Sequence, residues 1–390
     1  MNSVYASLGT TIFETVSEAA RRTGAVNLGQ GFPDDPGPED VRRVAAEAVL
    51  DGWNQYPPMP GLPILREAIA GHYARHQGLA IDPAREVLVT SGATEAIAGA
   101  LLALIEPGDE VILFEPMYDA YLPLVRRAGG VARFVTLAPP DWPITREALE
   151  AAASDRTRLI LFNNPLNPAA RVYTRDELSV IAAFCIERDL IAICDEVWEH
   201  VVFDGRRHVP LIDLPGMRER TVKIGSAGKI FSLTGWKVGW SVATPPLLQQ
   251  LAKAHQFLTF TTPPNLQAAV AYGLGKDDTS FSAMRERFQR SRDRLAAGLC
   301  ALGLDVLPSE GSYFLNVDIR SLGEMDDAAF ALRLIDEVGV ALIPVSAFMQ
   351  GTRTGTTTLV RFCFAKKDET LDSALERLAA LPGATGSRAT

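Results

Sequence analysis

The chain has 390 residues, 47% of them hydrophobic and 22% charged, which is typical of a globular protein with a large buried core and excludes a disordered chain. A net charge of −9 argues against a nucleic-acid-binding surface, and no apolar run reaches the ~18 residues of a membrane span. The N-terminus lacks a secretory signal pattern and the four cysteines form no CxxC pair, so we expect a cytoplasmic protein with reduced, buried thiols and no nucleic-acid or membrane partner.

Short apolar runs alternate with helix-like stretches between residues 86 and 245. Five of these runs predict buried strands: EVLVTSG (86–92), DEVILFEP (109–116), TRLILFNNP (157–165), LIAICDEV (190–197) and TVKIGSAGK (221–229). Helices are predicted over 93–108, 118–130 and 174–189, the last with Thr174 as its N-cap and Glu177 three residues on. Continuous apolar strands alternating with helices are typical of a parallel sheet covered on both faces. We therefore predict an α/β fold with a mainly parallel sheet.

After residue 280 the pattern changes to a shorter alternation of helices and strands. A long amphipathic helix over 281–303 is followed by a strand, a helix and a strand within 305–319, 326–340 and 357–365. This pattern predicts a smaller α+β domain, and we expect residues 376–390 to fray. The predicted division is an N-terminal arm and small-domain segment (1–39), a large domain (40–285) and a small C-terminal domain (286–390).

Three familiar motifs do not fit this sequence. LGQGFPD (28–34) lacks the third glycine of a dinucleotide-binding loop, and GSAGKI (225–230) has the wrong spacing for a Walker A loop. His72 and His76 are four residues apart on a predicted helix, but the glutamate of an HExxH zinc motif is missing. We expect these histidines on a solvated helix face and predict no metal site.

Polar residues follow the predicted strands at the carboxyl ends, where open α/β sheets bind ligands. Lys229 follows TVKIG after small residues that leave room for a ligand, and Asp195 ends an otherwise apolar strand. SGAT (91–94) lies between a strand and a helix, so its backbone N–H groups can bind an anion, while Asn167 lies in NNPLNP. Each residue alone also has an ordinary explanation as a solvated lysine, a capping acid, a helix cap or a turn residue.

The combination of motifs is more specific than any one of them. SGATEA, NNPLNP, CDEV and SAGKIFSLTGWKVGW occur in this order and are followed by LVRFCF. From GQGFPD (29–34) to Arg361, the chain resembles the class I/II aminotransferases, which are fold-type I enzymes that use pyridoxal 5′-phosphate. It is most similar to the kynurenine/glutamine/methionine aminotransferase branch. The resemblance implies this fold, this cofactor, amino-acid and 2-oxo-acid substrates, and a homodimer with shared active sites.

The resemblance also assigns roles to individual residues around the cofactor. Lys229 matches the lysine that forms a Schiff base with the cofactor aldehyde, a role that requires its pKa to fall from the usual ~10.4. Asp195 matches the acid that keeps the ring nitrogen protonated, Asn167 a donor to the ring 3′-oxygen, and Tyr118 the aromatic residue stacked on the ring. The phosphate would be bound by four residues of the same chain and one of the neighbouring subunit: Ala93, Thr94, Ser226, Lys237 and Tyr56.

Two further residues match positions that bind substrate in the family. Arg361 matches the arginine that binds the substrate α-carboxylate, and its planar fork suits a bidentate bond. Gly31 matches a glycine whose backbone approaches the substrate. We expect Asn167 to contact the substrate as well.

Two positions depart from the family pattern. Trp198 occupies the position of a tyrosine that donates to the cofactor 3′-oxygen. We expect the indole to bind the cofactor with a different reach and so to raise the pKa of its Schiff base. Ala170 stands where the family typically shows NP-x-G, so it must adopt a backbone conformation that glycine tolerates more easily.

The main hypothesis is a ping-pong aminotransferase that moves the amino group of an α-amino acid to a 2-oxo acid. Phe13, Phe32, Tyr118 and Phe348, expected near the mouth of the site, favour aromatic or sulfur-containing amino acids over dicarboxylates. A cysteine-conjugate β-lyase and an N-succinyldiaminopimelate aminotransferase are the alternatives. A non-catalytic sensor with a DNA-binding domain is disfavoured, because the chain has neither the length nor the basic charge for that domain.

Overall fold

The computed structural model describes residues 2–350 and 357–381. Within these residues the central sheet has seven strands, in the order β2-β8-β7-β6-β5-β3-β4. They are β2 (Val87–Thr90), β3 (Glu110–Glu115), β4 (Val131–Thr136), β5 (Thr157–Asn163), β6 (Ile191–Asp195), β7 (Thr221–Ser226) and β8 (Gly239–Val242). Only β8 runs antiparallel to its two neighbours, so the predicted mainly parallel sheet is confirmed.

Helices precede, connect and follow these strands. They are α1 (Ser3–Ala6), α2 (Ile12–Thr23), α3 (Glu39–Leu50), α4 (Pro63–Gln77), α5 (Ala93–Leu104), α6 (Tyr121–Arg127), α7 (Arg146–Ala152), α8 (Arg175–Glu187), α9 (Ala227–Ile230), α10 (Pro245–Leu258) and α11 (Pro264–Leu274). The predicted cap of α8 forms a full capping box, in which the Thr174 hydroxyl accepts from Glu177 N–H and the Glu177 carboxylate accepts from Thr174 N–H.

Alternate strand residues face opposite sides of the sheet and bury it on both. On β3, Val111 and Leu113 belong to an apolar cluster that includes residues of α5, α6 and α10. Ile112 and Phe114, between them in sequence, belong to a second cluster with α7 and α8. Burial on both faces explains why these strands are apolar without interruption, as in other parallel sheets.

The C-terminal part has its own antiparallel sheet in the order β12-β13-β10-β9. Its elements are α12 (Asp278–Ala301), β9 (Asp305–Val306), β10 (Phe314–Asp318), α13 (Asp327–Glu337), β12 (Ile343–Pro344), β13 (Leu359–Cys363) and α14 (Asp368–Leu378). β1 (Val26–Asn27) pairs in parallel with β11 (Val340–Ala341), which joins the N-terminal segment to this part. The division at 285/286 falls inside the continuous helix α12, and the domain boundaries stay a prediction.

Three smaller expectations concern the cysteines, the C-terminal end and membrane spans. Cys185, Cys194 and Cys363 are buried, but Cys300 is exposed, so the prediction of four buried thiols is wrong for that residue. Residues 376–378 belong to α14 rather than to a frayed end, and 382–390 lie outside the described residues. Among the helices described, none is both long and apolar enough to cross a membrane.

The prediction of a solvated face for His72 and His76 is also wrong. His72 is buried, with its Nε2 atom 2.7 Å from Nε2 of His200. The side chain of His76 is only 17% exposed and stacks beside both rings. The segment after β6 and helix α12 cover this face of α4, a tertiary contact that helical spacing does not reveal.

Candidate active site

A cavity of about 240 Å³ lies at the carboxyl edge of the central sheet. β5, β6 and β7 are parallel neighbours that end at this edge, and α5 begins beside it. Together with an adjoining cavity, the cavity is lined by eleven of the predicted residues: Ala93, Thr94, Tyr118, Asn167, Asp195, Trp198, Ser226, Lys229 and Lys237 and, in the adjoining cavity, Gly31 and Arg361.

Lys229 lies on the short helix α9, one turn beyond the end of β7. Its Nζ atom is 4.6 Å from the centre of the Trp198 ring, and its backbone oxygen accepts the Tyr313 hydroxyl at 2.7 Å. Burial lowers the pKa of the Lys229 amine to about 8, although Asp195 opposes this shift. A larger fraction of this amine is therefore unprotonated near neutral pH than of an exposed lysine, as a nucleophile or base requires.

Asp195 is the last residue of β6 and is buried at the floor of the cavity. Its Oδ2 atom accepts the Tyr121 hydroxyl at 2.6 Å. Burial raises the pKa of the carboxyl group, and the Tyr121 hydrogen bond opposes this rise because it stabilises the charged form. Tyr121 was not predicted from the sequence. The feature that could have indicated it is its position three residues, or about one helical turn, after Tyr118 in FEPMYDAY.

A second residue missed from the sequence, Asn163, connects two of the predicted ones. Asn163 pairs with Asp195 across β5 and β6, and its side-chain amide donates to the Asp195 backbone oxygen at 2.8 Å. Its Oδ1 atom accepts from the Asn167 N–H at 2.7 Å. The loop after β5 is thereby fixed beside the end of β6.

Ala170 has the strained backbone expected from the sequence, with φ of 59°. Its carbonyl oxygen accepts hydrogen bonds from the backbone N–H groups of Glu310 and Gly311. These bonds hold the loop that carries Asn167 against the C-terminal part of the chain, so the conformation persists without glycine.

The start of α5 forms one end of the cavity. Its first N–H groups, including those of Ala93 and Thr94, have no acceptor within the helix and give this end a partial positive charge. A Cβ atom at Gly92 would lie 3.2 Å from Cε and 3.5 Å from Nζ of Lys237, so a side chain there would crowd the lysine. With the Ser226 hydroxyl, this end offers several donors and a cation to an anionic group.

An adjoining cavity of about 320 Å³ shares Lys229, Asn167 and Trp198 with the first and extends to Arg361 on β13. Arg361 is buried, donating to Asn167 Oδ1 at 3.0 Å and to the Gly29 carbonyl at 2.7 Å. Its Nε–H has no partner among the described residues. Burial lowers the pKa of this guanidinium. Arg361 thus has donor capacity left for a carboxylate ligand.

Aromatic rings surround the Arg361 guanidinium. Its central carbon lies 3.9 Å from the ring centre of Phe314, 4.8 Å from that of Phe348 and 5.5 Å from that of Phe13. A Cβ atom on Gly31 would approach Phe314 to 2.6 Å, so only glycine fits there without a shift of that ring. Asp119, which the sequence analysis did not single out, lines the same cavity.

Tyr56 is the one predicted site residue that does not line either cavity. Its side chain is 80% exposed and contacts the ring of Phe260 at 5.5 Å between centres. From the sequence we expect Tyr56 to act on a neighbouring subunit, and this stays a prediction.

The fold and the two cavities define a fold-type I enzyme with a buried lysine, a buried acid and a buried arginine around adjoining cavities. The sequence model of the aminotransferase class I and II family matches residues 23–378. The structure of N-succinyldiaminopimelate aminotransferase from Mycobacterium tuberculosis is 46% identical and covers 97% of this chain and 99% of its own, with a TM-score of 0.95.

Two sequence relatives point the same way. Methionine aminotransferase of Escherichia coli K12 is 40% identical over 371 residues, covering 95% of this chain and 96% of that protein. Kynurenine–oxoglutarate transaminase 3 of Rattus norvegicus is 38% identical over 397 residues, covering 95% and 87%. The chain belongs to the aminotransferase class I and II family and is an aminotransferase, which confirms the resemblance drawn from its motifs.

Proposed function

We propose that the protein is a pyridoxal 5′-phosphate-dependent aminotransferase acting on aromatic or sulfur-containing α-amino acids. The observation that carries the proposal is the single space shared by the Lys229 amine, the Asp195 carboxylate and the Arg361 guanidinium. An amine of lowered pKa, a buried acid and a guanidinium with an unused N–H donor are the groups that amino-group transfer on a pyridine cofactor requires.

The residues fit this cofactor at its aldehyde, its ring nitrogen and its phosphate. Lys229 is suited to the aldehyde, and the buried Asp195 carboxylate is suited to a protonated ring nitrogen. The donors at the start of α5, with Ser226 and Lys237, suit a phosphate, and the missing side chain at Gly92 leaves space beside Lys237. Tyr118 and Trp198 supply flat apolar surfaces between the two ends.

When bound, pyridoxal phosphate supplies an aldehyde that bonds to amines and a ring that delocalises the electrons of the substrate Cα–H bond. Lys229 Nζ would take the proton from the substrate Cα and give it to the carbon of the cofactor aldehyde, where the amino group stays. Asp195 would hold a protonated ring nitrogen with its carboxylate, whose charge the Tyr121 hydroxyl stabilises. Arg361 holds the substrate α-carboxylate, which fixes the Cα–H bond relative to the Lys229 amine.

The substrate side chain would lie against Phe13, Phe32 and Tyr118, which line the Arg361 cavity. Asp119 is its only acid among the described lining residues, and its cations are Lys229 and Arg361. A second carboxylate on the substrate would therefore meet an acid and find no cation of its own. This arrangement favours an aromatic or thioether side chain over a dicarboxylate.

The lining of the same cavity also bears on the two alternative functions, an N-succinyldiaminopimelate aminotransferase and a cysteine-conjugate β-lyase. An N-succinylated diamino acid, the substrate class in the name of the M. tuberculosis relative, carries further carboxylates that the described cavity does not neutralise. A β-lyase acting on cysteine conjugates would use the same Lys229 and the same apolar walls. Methionine, phenylalanine, kynurenine, a cysteine conjugate and the N-succinylated diamino acid are therefore the donors to compare.

The test is the visible absorbance of the purified holoenzyme as these donors are added one at a time. We expect the cofactor band to collapse with an aromatic or thioether donor and to return when a 2-oxo acid is added. Pyruvate formation without a 2-oxo acid would establish the β-lyase instead. Conversion by the N-succinylated donor alone would overturn the substrate proposal, and a protein without any cofactor band would overturn the cofactor.

The Tyr121 hydroxyl gives a prediction about pH. In Tyr121→Phe, the Asp195 carboxylate loses a charged hydrogen bond of about 1.5–3 kcal/mol, so its pKa rises further and kcat falls about tenfold or more. The acid limb of the kcat–pH profile should move to higher pH, because Asp195 must be ionised to act. Tyr272→Phe, on the half-exposed face of α11, is the control and should leave the profile unchanged.

Trp198 gives a prediction about the cofactor spectrum. Replacing it with tyrosine should restore a hydroxyl donor to the cofactor 3′-oxygen and so stabilise the ionised oxygen. The pKa of the visible absorbance change should fall by about one unit, the equivalent of about 1.4 kcal/mol. A spectrophotometric pH titration of the two holoenzymes decides the point. Identical titration curves would show that the indole and the hydroxyl are equivalent there.

We further propose a homodimer in which Tyr56 reaches the partner's phosphate site. Leu50, Trp53, Tyr56 and Phe257 are each at least 74% exposed, which is unusual for large apolar side chains and typical of an interaction surface. Light scattering should give twice the chain mass of 42.2 kDa. Tyr56→Phe should keep that mass but bind pyridoxal phosphate more weakly, and a monomeric active enzyme would refute the shared site.

A further inference from the structure

Four of the five histidines of the chain gather on one side of the molecule, away from the Lys229 cavity. The rings of His72, His76 and His200 lie with centres 4.4–5.0 Å apart. His76, His200 and His208 line a separate cavity of about 340 Å³ between α4, the segment after β6 and α12. None of its lining residues lines the Lys229 or Arg361 cavities.

His208 has unused hydrogen-bonding capacity in this cavity. Its side chain is only 3% exposed, and its Nε2 atom bonds to Glu196 Oε2 at 3.0 Å. Its Nδ1 atom is buried without a partner among the described residues. A buried polar atom left unpaired costs about 1–3 kcal/mol, so the described residues do not fully satisfy this wall of the cavity.

The charged groups of the cavity favour an anion. Arg207 and Arg285 line it, and neither forms an ion pair with an acid of residues 2–350 or 357–381. The one acid in its wall, Glu199, already accepts hydrogen bonds from Lys223, Tyr73 and Gln77. Two guanidinium groups without an ion-pair partner among the described residues thus line a space whose one described carboxylate is already bonded to Lys223.

A metal ion fits this cavity less well. The only described cluster with ligand atoms within 4.8 Å of one another is Glu196, Glu199 and His208. Lys223 places its ammonium group between the two carboxylates of this cluster, where a cation would bind. His76 and His200 would have to turn before they joined such a site. The arginines would repel the ion as well.

We propose that this cavity is a second ligand site, which binds a small phosphorylated molecule through Arg207 and Arg285. Guanidinium forks match the geometry of phosphate oxygens, and the cavity is larger than inorganic phosphate alone needs, which leaves room for an organic group. Because Glu196 directly follows Asp195, an occupant contacts the segment that carries the buried acid of the active site.

The test is a calorimetric titration with pyrophosphate at constant ionic strength. It uses the holoenzyme, in which the cofactor already occupies the other phosphate site. We expect one saturable site per chain and at least tenfold weaker binding in Arg207→Gln and Arg285→Gln. Both variants should keep transamination unchanged, which separates this proposal from the proposed function. Arg290→Gln, an exposed arginine on the same helix α12 but outside the cavity, is the matched control.

The proposal is overturned by the absence of saturable binding, by equal binding in all three arginine variants, or by a preference for Zn²⁺ over pyrophosphate. Melting curves show whether each arginine variant is folded.

Discussion

Lys229→Ala is expected to lower kcat for transamination by about 10⁴-fold or more, with a small change in stability. The side chain supplies both the amine that bonds to the cofactor and the base that moves the Cα proton, and a positioned base alone accounts for about 10²–10⁴-fold. Its amine is the one lysine nitrogen whose pKa burial lowers to about 8 beside Asp195 and Arg361. Stopped-flow absorbance with a single donor measures the half-reaction directly.

Two controls separate loss of chemistry from loss of structure. Addition of a small primary amine such as methylamine should restore part of the Lys229→Ala rate, because a free amine can enter the cavity and accept the proton. Lys253→Ala, a substitution at an exposed lysine on α10, should leave kcat unchanged. Retention of more than a tenth of the wild-type rate in Lys229→Ala would contradict the assigned role.

Patterns within short segments were sufficient to predict most of the central sheet. β2, β3, β5, β6 and β7 each fall inside a predicted apolar run, because strands buried on both faces have no polar interruptions. The strand β8 was missed because GWKVGWSV is short and rich in glycine and tryptophan, and its pairing with β2 and β7 is antiparallel. Local sequence carries no signal for the direction in which a strand enters a sheet.

In the candidate site, too, the sequence predicts the reactive residues but not the residues that hydrogen-bond to them. Lys229, Asp195, Asn167 and Arg361 were predicted from motifs, and the structure brings them to one space. Tyr121 was not, because its role depends on the distance of 2.6 Å to a residue 74 positions away. Composition and spacing can therefore identify chemical groups, whereas the hydrogen bonds that tune them require the tertiary structure.

The network around Lys223 is the clearest case of a buried group that sequence reasoning passed over. Lys223 lies in the middle of β7 and is fully buried, with its ammonium group between the carboxylates of Glu196 and Glu199. Attraction by this lysine, with His208, lowers the pKa of Glu196 to about 2 against the effect of burial. These glutamates flank Val197 and Trp198, and Glu196 directly follows Asp195.

Lys223→Met is therefore expected to lower the free energy of unfolding by about 3–5 kcal/mol at pH 8, because it leaves two buried carboxylates without their cation. The deficit should shrink at pH 5. The pKa of Glu196 rises once the lysine is gone, so this glutamate can take up a proton and lose its charge in the folded variant. Urea unfolding of both proteins at the two pH values measures the difference.

A compensated variant tests whether the loss comes from unpaired charge or from a packing defect. Lys223→Met combined with Glu196→Gln and Glu199→Gln removes all three charges at similar volume, so stability should recover by at least half. Amide side chains can still accept from Tyr73, Gln77 and the Leu211 N–H, the present partners of the two carboxylates. If the triple variant is no more stable than Lys223→Met, the lysine acts by packing, and the segment after Asp195 is held by its other hydrogen bonds.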